Sequence, residues 1–136
     1  MCRQSAVATS MPALRLFFDG GCRPNPGQIE IAVVVRGVVH VVPDCGQGNN
    51  SDAEWLAAIH ALTIAAAMGA REVDLLGDST LVVTQANGTA RCRSDGLRAH
   101  RDAFRVQAAA FDRVRLRHVG RARNLAGIAL ARLHPR

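Results

Sequence analysis

The chain has 136 residues, of which 49% are apolar. That is enough for one domain with a real core, and it excludes a disordered segment. No apolar run approaches the roughly 20 residues of a membrane helix, so no membrane partner is expected. The formal net charge is +6, carried by 17 arginines with no lysine. It is uneven: residues 1–90 hold five Arg against eight acids, and residues 91–136 hold twelve against three. An arginine-rich second half suits a polyanion, because each guanidinium can grip two phosphate oxygens. Arginine-favouring codons and a merely solvated surface would give the same composition.

Residues 1–12 are small and polar, lack the apolar stretch of a signal peptide, and read as a flexible leader to a single domain over 13–136. Four cysteines (Cys2, Cys22, Cys45, Cys92) show no C-x-x-C spacing, which points to free thiols and a cytoplasmic setting. The first strand is expected over 13–18, ending in Asp19 and a Gly/Pro/Asn loop. Two β-branched runs, 29–35 and 38–42, flank Arg36-Gly37 as a hairpin, and 44–50 reads as a loop. A helix follows from Ser51 to about Met68, with Trp55, Leu56, Ile59, Leu62, Thr63 and Ala66 as its apolar stripe. Residues 72–76 form a fourth strand closed by Gly77-Asp78-Ser79. A short helix over 80–86 stops at Asn87-Gly88. A basic turn leads to a helix over 95–112, an alternating strand over 114–119, a loop over 120–123 and a last helix over 124–133. This order predicts an α/β fold: a five-stranded mixed sheet, three antiparallel strands and then parallel ones, flanked by helices.

Asp19 and Asp78 then fall at the C-terminal edge of parallel strands, where open sheets bind ligands. Glu54, at the start of the first long helix, reaches the same edge. Each acid also has a local alternative: Asp19 as a turn cap, Ser51-x-x-Glu54 as a capping box, Asp78 as a helix N-cap. Clustered carboxylates repel unless a cation lies among them. Hard oxygen donors select Mg²⁺ or Mn²⁺, and two such ions about 4 Å apart suit phosphodiester hydrolysis.

The segments Phe17-Phe18-Asp19-Gly20-Gly21-Cys22-Arg23-Pro24-Asn25-Pro26-Gly27, Asn49-Asn50-Ser51-Asp52-Ala53-Glu54-Trp55, Gly77-Asp78-Ser79-x-x-Val82-Val83 and His118-Val119-Gly120-Arg121-x-x-Asn124 occur in series. Together they resemble type 1 ribonuclease H, in particular its compact members. The resemblance implies a ribonuclease H-like fold and an endonuclease that cuts the RNA strand of RNA/DNA hybrids with two bound ions, leaving 5′-phosphate and 3′-hydroxyl ends. No obligate protein partner is evident in the sequence, and a monomer is expected. Asp19, Glu54 and Asp78 match three of the family's four acids; the fourth position is Ile128. Asn124, one helical turn earlier, is either the helix N-cap or a neutral oxygen ligand completing an Asp19, Glu54, Asp78, Asn124 site. The loop before the last helix lacks the family's histidine and offers Arg121. Backbone amides over Gly20, Gly21 and Cys22, with Asn25, Asn50 and Ser51, are expected to read the RNA 2′-hydroxyl. Arg91 and Arg93 are expected to hold phosphates. The alternative is a hybrid-binding domain that lost catalysis with its fourth acid.

Overall fold

The apolar run that opens the domain does not stop at the acid. In the computed structural model of the chain, which describes residues 12–134, strand β1 spans Leu14–Cys22 and carries Asp19 in its interior. The expected leader therefore lies, apart from Pro12, outside the described residues. Strand β2 (Gly27–Val35) returns antiparallel, pairing with β1 from Leu16↔Val35 to Cys22↔Ile29. The parallel pairing of β1 with β5 (Glu72–Gly77) ends earlier, at Phe17↔Leu76. Asp19 thus sits where β1 has parted from β5 and is held by β2 alone, an edge position within a continuing strand.

Arg36 and Gly37 both have positive φ, 51° and 78°. That is the primed turn whose twist suits a tight hairpin into β3 (Val38–Val42). The expected loop over 44–50 contains a sixth strand, β4 (Gln47–Gly48). It forms because β3 pairs with β2 only as far as Ile31↔Val42, which leaves Gly27 and Gln28 free to pair with β4. The remaining elements are α1 (Asn50–Ala67), α2 (Thr80–Ala86), α3 (Asp95–Ala108), β6 (Arg113–His118), a 3-10 turn (Arg121–Arg123) and α4 (Leu125–Ala131). The main path of the sheet is β3-β2-β1-β5-β6, with β1, β5 and β6 parallel. Helix α3 ends four residues before the expected 112: the Asp112 N–H donates to the Arg71 carbonyl at 2.7 Å, and the Asp112 carboxylate receives both ends of the Arg71 guanidinium. Among the described residues no helix is long and apolar enough to cross a membrane.

The two sheet faces are covered differently. Leu16, Phe18, Ile31, Val33, Val73, Leu75 and Leu116 face α1 and α3 in the main core. Phe17, Ala32, Val34 and Val41 face α4 in a smaller one. Trp55 of α1 is fully buried and meets Phe104 of α3 edge-on, with ring centroids 5.8 Å apart. Truncating such a side chain costs about 3–5 kcal/mol. The buried face of α1 is Ala53, Trp55, Ala57, Ala58, Ala61, Leu62 and Ala65. The expected stripe was displaced: Leu56 and Ile59 are half-buried, and Thr63 and Ala66 are exposed. Alanines win because α1 lies hard against β1. A Cβ on Gly20 would stand 2.2 Å from the Ala53 carbonyl oxygen. That close approach brings Glu54 to Asp19.

Candidate active site

All three local alternatives for the acids fail. Asp19 is a strand residue, 3% exposed, and caps no turn. The capping box of α1 is formed by Asn49 and Asp52: the Asp52 N–H donates to Asn49 Oδ1 and the Asn49 N–H donates to Asp52 Oδ2, both at 2.9 Å. Glu54 is thereby left free of the helix end. The N-cap of α2 is Ser79, whose Oγ accepts from the Val82 N–H at 3.2 Å, which leaves Asp78 free as well.

The three carboxylates converge. One oxygen from each of Asp19, Glu54 and Asp78 lies within 4.8 Å of the others. Glu54 Oε1 accepts the Gly20 N–H at 3.2 Å, which locks helix to strand beside the site. Asp19 Oδ1 is buried and has no hydrogen-bond partner among the described residues. Burial, and then the Asp78 carboxylate, push the Asp19 carboxyl up to about 6, although the Arg121 guanidinium opposes the shift. Burial, and then Asp19 and Asp78, push Glu54 up to about 9. Negative charge is therefore penalised here until something positive arrives. An all-oxygen donor set with one orphaned buried oxygen fits a hard divalent cation.

Asn124 is fully buried and is the N-cap of α4, its Oδ1 accepting the Ala126 N–H at 3.1 Å. Its amide Nδ2 donates to the Phe18 carbonyl at 3.0 Å and to Asp78 Oδ2 at 3.2 Å. The cap fixes which way the amide points, so the group facing the acids is a donor and cannot ligate a cation. The expectation of a neutral oxygen ligand is corrected on this geometry: Asn124 orients Asp78 instead. Ile128 is 37% exposed and brings no polar atom to the acids. Gly127 is the α4 residue beside them; a Cβ there would lie 3.5 Å from Asp19 Oδ2 and 3.6 Å from Asp78 Oδ2.

An open groove of about 350 Å³ begins at the acids. Asp19, Glu54, Gly20, Gly21, Cys22, Asn50 and Arg121 line it. Arg121 Nη1 is 3.6 Å from Asp78 Oδ2, on a side chain 75% exposed, so it is free to swing toward a phosphate. The expected free amides are partly engaged: the Gly20 N–H is held by Glu54 and the Cys22 N–H by Asn50 Oδ1 at 3.0 Å. Asn25 Oδ1 accepts the Asn50 N–H at 3.1 Å. Asn25 and Asn50 therefore clasp the β1–β2 loop to α1, and Ser51 follows half-buried in the first turn. Arg91 and Arg93 are exposed on the loop after α2, outside this groove. That loop is tied inward by Gln85, which is 1% exposed. Gln85 accepts from Trp55 Nε1 at 3.2 Å and donates to the Arg91 carbonyl at 3.1 Å.

One groove residue and its partner were missed in the sequence. Glu30 lines the groove, and His134 Nε2 sits 2.7 Å from both of its oxygens. The signal was the β1–β2 register: Glu30 pairs with Gly21 and so shares the face of Asp19.

A mixed sheet of this order, with three acids at the C-terminal edge of its parallel strands, defines a ribonuclease H-like domain. The sequence matches the reverse transcriptase-like family over residues 17–134, and the chain belongs to that family. It is 37% identical to ribonuclease HI of Halobacterium salinarum over 120 residues, 85% of this chain and 60% of that protein. The crystal structure of RNase H1 from that archaeon superposes with a TM-score of 0.78 at 34% identity, covering 88% of this chain and 94% of that one. LC11-RNase H1 in complex with RNA/DNA hybrid gives a TM-score of 0.76 at 26% identity, covering 86% and 92%. The bifunctional protein Rv2228c of Mycobacterium tuberculosis is 34% identical over 78% of this chain, which spans 31% of its length.

Proposed function

We propose that the chain is a metal-dependent endoribonuclease that hydrolyses the RNA strand of RNA/DNA hybrids, leaving 5′-phosphate and 3′-hydroxyl ends. The observation that carries this is the convergence of Asp19, Glu54 and Asp78 within 4.8 Å with one buried oxygen unpartnered. Likeness to ribonuclease H1 chains, one of them bound to RNA/DNA hybrid, supports it.

Asp19, Glu54 and Asp78 would hold Mg²⁺ or Mn²⁺, two ions with substrate bound. Such ions neutralise the phosphate and lower the pKa of water toward neutrality. The chain's own residues do the positioning. Strand β1 fixes Asp19, the Gly20 N–H holds the Glu54 carboxylate, and the Asn124 amide holds Asp78. Arg121 engages the phosphate or the departing product. The loop clasped by Asn25 and Asn50, with Gly21 and Ser51, faces the RNA 2′-hydroxyl. Arg91 and Arg93 take phosphates of the duplex further along. The free thiols Cys22, Cys45 and Cys92 fit a cytoplasmic protein.

A second reading, hybrid binding without cleavage, draws on one observation: Asn124 spends its oxygen on a cap, which leaves a cluster of three carboxylates with no fourth acid, His or Cys among the described residues. Labelled hybrid incubated with Mg²⁺ or Mn²⁺ separates the two, with Asp19→Asn as the inactive control. Cleavage to 5′-phosphate fragments by the unaltered chain is the expected result. Tight binding without fragments under either metal refutes the first reading and leaves the second.

A further inference from the structure

Helix α4 packs over β1, β2 and β3 and, among the described residues, has at most weak contact with β5 and β6 on that face, where Leu76 of β5 is nonetheless buried, 4% exposed. Strand alternation decides what they present there. Val73, Leu75 and Leu116 point into the main core, and Val114 packs against it. Glu72, Asp74, Leu76, Arg113, Arg115 and Arg117 therefore share the outer face, where the three β6 arginines are exposed and Leu76 is buried. The register sets Arg15, Asp74 and Arg115 in one row across β1, β5 and β6, Glu72 opposite Arg113, and Arg117 opposite Leu76. Arg113 is braced by Glu72 at 2.9 Å and Arg115 by Asp74 at 3.5 Å. Arg15 and Arg117 have no carboxylate within ion-pair distance among the described residues. Four arginines thus face two acids, and all three arginines of β6 are exposed.

This strip runs straight to the acid cluster. Gly77 pairs with His118, Asp78 follows Gly77, and Arg121 reaches Asp78. Alternate residues of a strand stand about 6.6 Å apart, a stride close to that between neighbouring phosphates of one nucleic-acid strand. The strip is two strands wide, roughly 10 Å, and is bounded by α4 on one side. It is narrower than the distance of about 12 Å that separates the two backbones across a major groove, so its arginines meet one strand at a time.

We propose that the open β5–β6 face is a docking track for an unpaired RNA flank continuous with the strand cut at the acid cluster. The inference rests on the hybrid-cleaving role proposed above and adds to it a substrate class: hybrids whose RNA strand runs on unpaired. Each guanidinium of Arg113, Arg115 and Arg117 takes one phosphate, and no base is read. Such contacts favour substrates in which RNA emerges from a hybrid over blunt duplexes.

The test compares a blunt hybrid, the same hybrid with an RNA overhang of about ten nucleotides, and one with a DNA overhang, each bound in chelator. The RNA overhang is expected to tighten binding about five- to tenfold at low salt, as two or three exposed charge contacts allow. Arg117→Gln should lower the salt slope of the overhang hybrid by about 0.7, and Arg115→Gln with Arg117→Gln by about 1.4, the value for single-strand phosphates. Blunt-hybrid binding and cleavage should not change in either variant, and equal melting temperatures for Arg117→Gln and the unaltered chain show the fold intact. No gain from the RNA overhang, an equal gain from the DNA overhang, or a gain that survives in the double variant overturns the track. Failure to cut blunt hybrid with metal present counts against the proposed function alone, because the overhang comparison is read without catalysis.

Discussion

Replacing Glu54 by Gln should make the metal-free protein more stable at pH 8 while abolishing cleavage. Burial and the two neighbouring acids raise the Glu54 carboxyl from 4.5 to about 9. A raised carboxyl favours its protonated form in the fold. The stability it lends is complete below 4.5 and is lost as the pH climbs through about 9. Each unit is worth about 1.4 kcal/mol, so the ceiling between pH 4.5 and 8 is about 5 kcal/mol. Water and sodium drawn into the open groove soften this to about 2–3 kcal/mol. Glutamine carries no charge at any pH and still offers an oxygen to the Gly20 N–H. Thermal melts in chelator should therefore show the unaltered chain losing stability from pH 5 to 8, and Glu54→Gln losing much less. The variant should melt roughly 5–10 °C higher at pH 8. Adding Mg²⁺ should raise the unaltered chain most at high pH and close the gap. Equal melting temperatures at pH 8, or parallel decline of the two proteins, would refute the account of a charge-strained triad.

Two further substitutions probe the parts that hold the site. Asn124→Ala removes a helix cap and leaves the buried Phe18 carbonyl and one oxygen of Asp78 without their donor, so about 2–4 kcal/mol of stability should go in denaturant titrations; full stability with lost cleavage would instead restore Asn124 as a ligand. Gln85→Leu strands Trp55 Nε1 and the Arg91 carbonyl, and should cost about 2–3 kcal/mol and raise KM for hybrid more than it lowers kcat, because the loop bearing Arg91 and Arg93 loses its anchor; an unchanged KM would separate that loop from the substrate.

Much of this was legible in the sequence, and the exceptions share a cause. The β2–β3 hairpin was visible because β-branched runs and an Arg-Gly turn are local signals. The three acids were visible because each sits in a recognisable local motif that the element order brings to one sheet edge. The capping box was misplaced because Asn49, Asn50 and Ser51 are all good caps, and tertiary contact chooses among them. Asn50 is claimed by the Cys22 N–H, and Asn49 is left to cap. The buried stripe of α1 was read in part: Trp55 and Leu62 belong to it, but periodicity favours bulky residues, whereas the close approach to Gly20 selects alanine for the rest. Glu30 joined the groove only through the register of β1 on β2, and the orientation of the Asn124 amide only through its contact with Phe18, 106 residues away in the chain. Local chemistry was readable, and long-range docking was not.

The Asn124 hydrogen bond also bears on which ion the triad accepts. Its amide and the Arg121 guanidinium both approach the same atom, Asp78 Oδ2. Asp78 Oδ1 carries neither contact, so it is the oxygen that Asp78 would offer most readily to a cation. Calcium gathers six to eight oxygens and readily takes both from a carboxylate, while magnesium keeps six at short, fixed distances and retains its waters. A buried amide on α4 would thus act on denticity, favouring the smaller ion without touching it.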